Sequence, residues 1–259
     1  MLIGDIVEEL EKVVPGAWAE DWDNVGLLLG NRLDPVRGIA VSLDPSLETM
    51  QKTLEHECSL LITHHPLIFK PLKRIDSSEG TGASIAFAIK NGISVLSLHT
   101  NWDSAPRGVN RVIADALGLK NVQPLVPSDR GAWGLGAVGV LPGAIAFEEC
   151  GVRIRDSLGL SRLELHGESA QPVSRLALCG GGGGEFWRRA LDSGADAYFT
   201  ADMKYHERLD ALEKDLPVIL ADHGEMEQFS LRALAGMISE ATGIEPCILE
   251  PRRLKFRLL

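Results

Sequence analysis

The sequence predicts an α/β fold with parallel strands, and two observations support this class. Short apolar runs of strand length, such as residues 39–43, 59–63 and 93–98, alternate with segments whose apolar residues recur at helical spacing. Residues 39–63 contain a strand, a helix and a strand in succession, and such a βαβ unit predicts a parallel pair. Because ligands bind just beyond the carboxyl ends of strands in such sheets, the residues that follow each strand are candidates for chemistry.

The first half of the chain is predicted to alternate helices and strands. Apolar residues at helical spacing predict an opening helix over residues 2–14, which Pro15 and Gly16 end. The same reasoning predicts strands at 25–29, 39–43, 59–63 and 93–98, and helices at 47–54, 83–91 and 109–117.

A change of composition around residues 120–130, where prolines cluster with Ser128, Asp129 and Gly131, predicts a linker. A second set of elements is predicted beyond it. Its strands are expected at 134–141, 162–166, 174–178, 196–200 and 218–221, and its helices near 147–158, from 185, and through 237. Residues 247–249 and 254–259 are predicted to supply the last strand or strands.

Composition and charge restrict the class of protein. The chain has 259 residues, enough for one large domain or two of ordinary size. Its net charge of −10 argues against binding to nucleic-acid backbones and suits a site that holds cations. The four cysteines form no C-x-x-C pair, the acidic N-terminal segment is unlike a signal peptide, and no apolar stretch approaches the ~18 residues that span a bilayer. We therefore expect a soluble, cytoplasmic protein with reduced cysteines and no membrane contact.

Residues that bind metals follow three separate predicted strands. They are His64 and His65 after 59–63, His99 and Asp103 after 93–98, and His223 and Glu227 after 218–221. The H-x-x-x-E spacing places His223 and Glu227 on one face of a helix that begins near His223. Imidazole and carboxylate together favour a hydrolytic metal site over a thiolate-rich structural one. The alternative is that these are unrelated polar ends of strands.

The adjacent pair His64 and His65 has two interpretations. Successive side chains on extended backbone point in opposite directions, so one ligand to each of two metals is easier than two ligands to one. Pro66 favours the extended geometry of His65 that this requires. The alternative is a loop pair in which one ring caps a helix.

Three further stretches are ambiguous. Asp44 before Pro45 fits a helix N-cap, and Asp23 with Asn24 fits a turn, although the latter two would also suit groups beside the site. Five glycines, Gly180–Gly184, form either a tight, flexible turn or an anion site, but they lack the Lys-Ser/Thr of a P-loop. The chain contains no G-x-S-x-G nucleophile motif.

The order of several motifs resembles one known family. The motifs are D-N-V-G-L at 23–27, T-H-H-P-L-I-F at 63–69, H-T-N-W-D at 99–103, G-V-N at 108–110, D-A-Y-F-T at 196–200 and H-x-x-x-E at 223–227. This chain resembles the GTP cyclohydrolase 1 type 2 homologue family of dinuclear-metal-centre proteins, also called interacting-factor-three-like, over essentially its whole length.

The resemblance implies two similar α/β domains with mixed sheets, the second inserted into the first. We expect a metal-binding domain over residues 1–125 and 217–259 and an inserted domain over 126–216. It further implies a homohexamer with two divalent metal ions per subunit, of which Zn, Fe or Mn are favoured.

Carried over by motif, the resemblance also implies which residues act. The metal ligands are His64, His65, Asp103, His223 and Glu227. His99 is then a near neighbour, either beside the ligands or an occasional ligand itself. Residues 202–206 match the family's G-D-x-K-Y-H stretch, which would face a cavity, except that Ala201 replaces its glycine. Glu225 is an extra carboxylate that could compete with Glu227.

Two functions fit this reading. The first is a metal-dependent hydrolase acting on a small nucleotide-like or phosphoester substrate, with His99 or His206 as general acid or base. The second is a non-catalytic metal-binding scaffold, carrier or regulatory protein. The same ligands would serve either role, and open coordination positions would distinguish the enzyme.

Overall fold

A computed structural model describes residues 1–131, 133–168 and 172–250. The chain divides into two compact units, each with its own sheet. Of the described residues, the first unit comprises Met1–His99 and residues 234–250, and the second comprises Thr100–Ala233. The second unit is therefore inserted into the first along the sequence.

The helices and strands are numbered in chain order. The helices are α1 (Ile3–Val13), α2 (Leu47–Glu55), α3 (Gly80–Asn91), α4 (Thr100–Asp103), α5 (Val109–Ala116), α6 (Phe147–Leu158), α7 (Trp187–Asp192), α8 (Tyr205–Leu212), α9 (His223–Gln228) and α10 (Leu231–Thr242), with 3-10 turns at Gly16–Trp18 and Gly184–Phe186. The strands are β1 (Gly26–Leu29), β2 (Ile39–Ser42), β3 (Leu60–Thr63), β4 (Ser94–Ser97), β5 (Lys120–Gln123), β6 (Val126–Pro127), β7 (Gly134–Leu135), β8 (Ala137–Ile145), β9 (Glu164–His166), β10 (Val173–Leu178), β11 (Ala197–Thr200), β12 (Val218–Leu220) and β13 (Cys247–Ile248).

The sheet of the first unit has the order β1-β4-β3-β2-β13. Only β1 runs antiparallel to its neighbour, and β4, β3, β2 and β13 are parallel. The register pairs Thr63 at the end of β3 with Ser42 on one side and Ser97 on the other. The segments that leave these three strands therefore emerge together at one edge of the sheet.

The sheet of the second unit has the order β5-β8-β10-β11-β12-β9. Its centre, β10, β11 and β12, is parallel, and the flanking strands are antiparallel. The register pairs Leu178 with Phe199, and Thr200 with Leu220, so these three strands also end side by side. The glycine run, Asp202 and His223 follow those ends.

Each sheet has its own apolar core. Met50, Leu61, Ile85 and Val95 pack together in the first unit. In the second, large side chains such as Tyr198 and Trp187 pack with Leu216 and Val218. Burial of these side chains holds the strand ends, and hence the residues that follow them, in place.

The structure confirms the predicted α/β class with two mixed sheets. The parallel pair expected from the βαβ unit is β2 and β3. The linker predicted at 120–130 is wrong, because residues Lys120–Gln123 form β5, which pairs with β8, and Val126–Pro127 form β6, which pairs with β7. The helix expected to run through 237 is divided into α9 and α10.

The two units divide elsewhere than at the predicted boundaries of 125/126 and 216/217. The cause is strand pairing, since β5 and β12 both belong to the sheet of the second unit. The strand predicted at 254–259 lies outside the described residues. Among the described helices, none combines the length and apolar character that a bilayer crossing requires.

Candidate metal centre

Three histidines form a cluster in the first unit. His64 and His65 follow β3, His99 follows β4, and the ends of these strands are neighbours. One ring nitrogen from each histidine lies within 4.8 Å of the others. The ring centroids of His64 and His65, and of His64 and His99, are 5.2 Å apart. These donor atoms are close enough to hold a metal ion.

The Nδ1 atom of every ring in this cluster faces an oxygen. The distances are 3.0 Å from His64 Nδ1 to the Leu98 carbonyl, 2.7 Å from His65 Nδ1 to Asp44 Oδ1 and 2.9 Å from His99 Nδ1 to Asp23 Oδ1. A carbonyl or carboxylate oxygen only accepts, so each Nδ1 donates its proton. The lone pair of the neutral ring is then on Nε2, which is the arrangement found in metal-binding histidines.

The structure corrects the interpretation of Asp44. It is not the N-cap of α2, because Ser46 takes that position and its side chain accepts from the backbone N–H of Thr49. The N-cap therefore lies two residues after Asp44, and α2 begins at Leu47, where the apolar spacing predicts it. The Asp44 carboxylate is therefore directed to His65 instead of to a helix end.

Asp23 serves both of the roles that its sequence left open. Its Oδ1 atom accepts from the backbone N–H of Asn24 at 2.8 Å, as in a turn. The same atom accepts from His99. The carboxylate is fully buried, so its position and that of the His99 ring are fixed together.

The second unit brings together the other three predicted ligands. His223 and Glu227 lie one turn apart on α9, as their spacing predicts, with His223 Nε2 3.0 Å from Glu227 Oε2. Carboxylate oxygens of Glu227 and Asp103 lie within 4.8 Å of each other. Both carboxylates are buried, and buried carboxylates are stable only beside positive charge or hydrogen-bond donors.

His223 lies between two carboxylates. Its Nδ1 atom is 2.8 Å from Asp202 Oδ2, on the opposite side of the ring from Glu227. Burial alone would lower the pKa of His223, but the hydrogen bonds and charges of Glu227 and Asp202 outweigh it and raise the pKa to about 9. At neutral pH, without a metal ion, the His223 ring is therefore protonated.

The glycine run is packed closely against these predicted ligands. Gly181 has φ +63°, and a Cβ atom there would overlap a carboxylate oxygen of Glu227. The loop is held by Tyr198, whose hydroxyl donates to the Gly183 carbonyl at 2.6 Å, and by Asn110, whose Oδ1 accepts from Gly180 N–H at 2.8 Å. The tight turn is thus present, and Gly181 is required by its close approach to the Glu227 carboxylate. Sequence reasoning missed this function of Gly181.

Asn110 also connects that loop to a predicted ligand. It is fully buried, and its Nδ2 atom donates to the backbone carbonyl of Asp103 at 3.1 Å. Asn110 belongs to the G-V-N motif at 108–110 that contributes to the family resemblance. The motif alone did not predict the contacts that Asn110 makes.

Glu225 and Cys179 are both poorly suited to binding a metal ion at this site. Glu225 accepts hydrogen bonds from both the backbone N–H and the hydroxyl of Ser161, each at 2.8 Å, and α9 directs it away from Glu227. Burial raises the pKa of the Cys179 thiol, and the charges of Asp103 and Glu227 raise it further. Cys179 therefore stays a neutral thiol at neutral pH and is a poor ligand or nucleophile.

His99 and His206, the two predicted acid–base groups, lie in different surroundings. His99 belongs to the histidine cluster. His206 is exposed on α8, where its ring packs against Tyr205 at 5.2 Å. Among the described residues, His206 belongs to none of the groups that could hold a metal ion.

The donor set fits a divalent transition metal. Imidazole nitrogen and carboxylate oxygen suit Zn, Fe and Mn, and the Nδ1 contacts orient each ring in the way that metal-binding histidines are oriented. Fold and donors together define a mixed α/β protein with histidine- and carboxylate-rich groups that could bind metal.

Comparison with known proteins identifies the family. The model of Duf34/NIF3 (NGG1p interacting factor 3) matches residues 1–251, and the chain belongs to this family. A GTP cyclohydrolase 1 type 2 homolog of Clostridium acetobutylicum is 31% identical over 223 residues, covering 85% of this chain and 83% of that protein. One from Lactococcus lactis is 34% identical over 222 residues, covering 83% of each chain. The resemblance seen in the motifs is confirmed.

Solved structures agree with this assignment. The Staphylococcus aureus hypothetical protein SA1388 superimposes with a TM-score of 0.90 at 27% identity, covering 100% of this chain and 99% of that one. Reduced HcgD from Methanocaldococcus jannaschii gives a TM-score of 0.80 at 28% identity, covering 96% of this chain and 97% of that one.

Proposed function

We propose that this protein binds two divalent metal ions and uses them to hydrolyse a small nucleotide-like or phosphoester substrate. The observation that carries the proposal is the common orientation of four histidines. His64, His65, His99 and His223 each have Nδ1 directed at a carbonyl or carboxylate oxygen. This orientation is typical of histidines that bind metal through Nε2. Its occurrence in all four rings is what a metal centre would require.

The proposed ligands are His64, His65, Asp103, His223 and Glu227, holding Zn, Fe or Mn. Family membership supports the set as a whole, and each unit supports its own part by geometry. A carboxylate has two oxygens, so Asp103 or Glu227 can bridge two cations. His99 would either join the ligands or act beside them.

In the proposed hydrolysis, the cation would activate water, and histidine side chains would transfer protons. A divalent cation would act as a Lewis acid, activating water as the nucleophile and polarising the bond under attack. His99 is held by Asp23 and would transfer a proton to or from the substrate. His206, being exposed, would serve in that role only for a substrate that reaches α8.

The substrate class rests on the names of the relatives. Several are called GTP cyclohydrolase 1 type 2 homologs, which supports a nucleotide-like substrate. We further propose the homohexamer that the motif resemblance implies and a cytoplasmic location, and native mass spectrometry would measure the subunit number. Four free cysteines agree with a reducing compartment.

A second candidate is a non-catalytic metal scaffold or carrier. The observation that favours it is burial, since His64, Asp103 and Glu227 are 1%, 8% and 3% exposed. Metals whose coordination is completed by buried protein ligands have no position for substrate.

Metal analysis followed by turnover separates the two candidates. We expect two metal ions per chain, and metal-dependent turnover of at least one member of a panel of nucleotides and phosphoesters. His64→Ala should lose metal, whereas His56→Ala, an exposed histidine of the same unit, should keep it. Full occupancy without turnover across the panel would support the scaffold, and a His64→Ala protein that retains both ions would refute the ligand assignment.

A further inference from the structure

Two exposed aromatic side chains lie beside the histidine cluster. Trp22 is 61% exposed and Phe69 is 45% exposed, although side chains of this size are normally buried. Their rings are 5.9 Å apart in an edge-to-face arrangement. The His99 ring lies 6.4 Å from Trp22 and 6.1 Å from Phe69, so all three form one contiguous aromatic group.

Hydrogen bonds fix this group in place. Asn24 donates from its side chain to the carbonyl oxygen of Ile68 at 2.5 Å, which ties the segment carrying Trp22 to the segment carrying Phe69. Asp23, which lies between Trp22 and Asn24 in the sequence, accepts a hydrogen bond from His99 Nδ1. Residues 22–24 thus supply the Trp22 ring, position His99 through Asp23, and hold the segment that carries Phe69 through Asn24. An aromatic pair held in this way is preorganised for a planar ligand.

Positive charge follows directly in the sequence. Lys70, Lys73 and Arg74 come just after Phe69, and all of them are exposed. They stand out in a chain whose net charge is −10. Lysine and arginine bind phosphate, and flat rings stack on aromatic side chains. An exposed aromatic pair that the sequence continues into exposed basic residues favours a ligand that has both a planar ring and a phosphate.

We propose that Trp22 and Phe69 form a subsite for the base of a mononucleotide, with its phosphate directed toward the basic segment 70–74. This inference deepens the proposed function and rests on it, because it assigns the substrate class of that same site. A mononucleotide is favoured over a nucleic-acid strand, since the net negative charge of the chain opposes binding of a long phosphate backbone.

The test compares two ligands that differ only in the base. Titration calorimetry of the full chain, loaded with Zn²⁺, would measure the affinities of GMP and ribose 5-phosphate. We expect GMP to bind at least about tenfold more tightly, as one stacked base commonly provides. Trp22→Ala and Phe69→Ala should each remove most of that preference. We also expect GMP to quench the tryptophan fluorescence of the parent protein. Trp22→Phe should retain the preference for GMP but lose that quenching.

Leu33→Ala is a matched control, because Leu33 is an exposed apolar residue of the same unit at 75% exposure. It should leave the GMP preference unchanged. Equal affinities for GMP and ribose 5-phosphate, no detectable GMP binding, or a preference that survives both alanine substitutions would overturn the subsite.

Metal content measured on the same samples separates this inference from the proposed function. A protein that holds its two ions but binds both ligands equally retains the proposed metal site and loses the base subsite. A protein that takes up no metal contradicts the proposed function. The base preference of that protein, measured without metal, still supports or refutes the aromatic subsite.

Discussion

At the scale of single residues, the candidate metal centre depends on side chains that hold other side chains. Asp23, Asp44 and Asp202 each accept from one histidine Nδ1. Each carboxylate fixes the tautomer and raises the basicity of the opposite nitrogen. Loss of such a carboxylate should therefore weaken metal binding without removing a ligand.

Asp44→Ala is expected to reduce metal affinity about 10- to 100-fold, because the His65 ring loses its orientation and its tautomer. Asp44→Asn keeps an oxygen that can accept from Nδ1 and should cost less. Competition with a fluorescent chelator would measure both affinities. Asp34→Ala is the control, since Asp34 is an exposed aspartate whose side chain accepts from Asn31. An Asp44→Ala protein with unchanged affinity would show that His65 is not held this way when metal binds.

Sequence reasoning found the histidines but not all of their partners. His64, His65 and His99 were recognisable because they follow apolar runs of strand length. Asp44 follows a strand in the same way, but the adjacent proline favoured a helix N-cap. Which of Asp44 and Ser46 begins the helix depends on where His65 lies in three dimensions, and a local pattern contains no such information.

At the scale of elements, strand register explains why residues distant in sequence become neighbours. Three parallel strands end side by side in each sheet. Apolar runs predicted most of these strands, since burial on both faces requires a continuous apolar segment. β5 was missed because Lys120–Gln123 is a polar edge strand, mostly exposed, with no apolar run to reveal it. The prolines and turn residues around it gave a stronger signal for a linker.

The sequence of the glycine run left two interpretations open, and the structure shows a close approach of Gly181 to Glu227. A pair of substitutions tests whether that close approach is required. Gly181→Ala introduces a Cβ at positive φ and against the Glu227 carboxylate. We expect a destabilisation of about 1–3 kcal/mol and reduced metal content, because Glu227 has to move.

Gly182→Ala is the matched control, since φ there is not positive and a Cβ would meet no atom within 4 Å. It should change neither stability nor metal content. Thermal unfolding by circular dichroism and elemental analysis would measure both quantities. If the two variants behave alike, the loop tolerates side chains and the close approach to Glu227 is not required.

At the scale of the whole molecule, metal binding, proton binding and folding are linked. The proposed ligands are spread along the sequence from His64 to Glu227. An unfolded chain would not hold these ligands together, so metal should bind almost only to the folded protein and stabilise it. At a metal concentration about 100 times the dissociation constant, this stabilisation is about 2.7 kcal/mol. For a chain of this length it corresponds to an increase in Tm of roughly 5–10 °C.

The size of that increase should depend on pH, with a sign set by His223. Its pKa is raised to about 9 in the folded metal-free protein, against about 6.5 in an unfolded chain. The protonated ring therefore stabilises the metal-free protein fully below about pH 6.5, and this contribution is lost as pH rises through about 9. Metal displaces the same proton, so metal affinity rises over the same range. Both effects make the metal-dependent increase in Tm larger at higher pH.

Differential scanning fluorimetry with and without Zn²⁺, at about pH 6 and about pH 8.5, measures this linkage across the range set by the pKa values. We expect the larger increase in Tm at the higher pH. His223→Gln, whose side chain does not titrate, should show a smaller increase with a weaker pH dependence. His56→Ala should behave like the parent protein, because His56 is exposed and lies outside the cluster. A metal-dependent increase of the same size at both pH values would mean that no proton leaves His223 when metal binds, and His223 would then have to be removed from the ligand set.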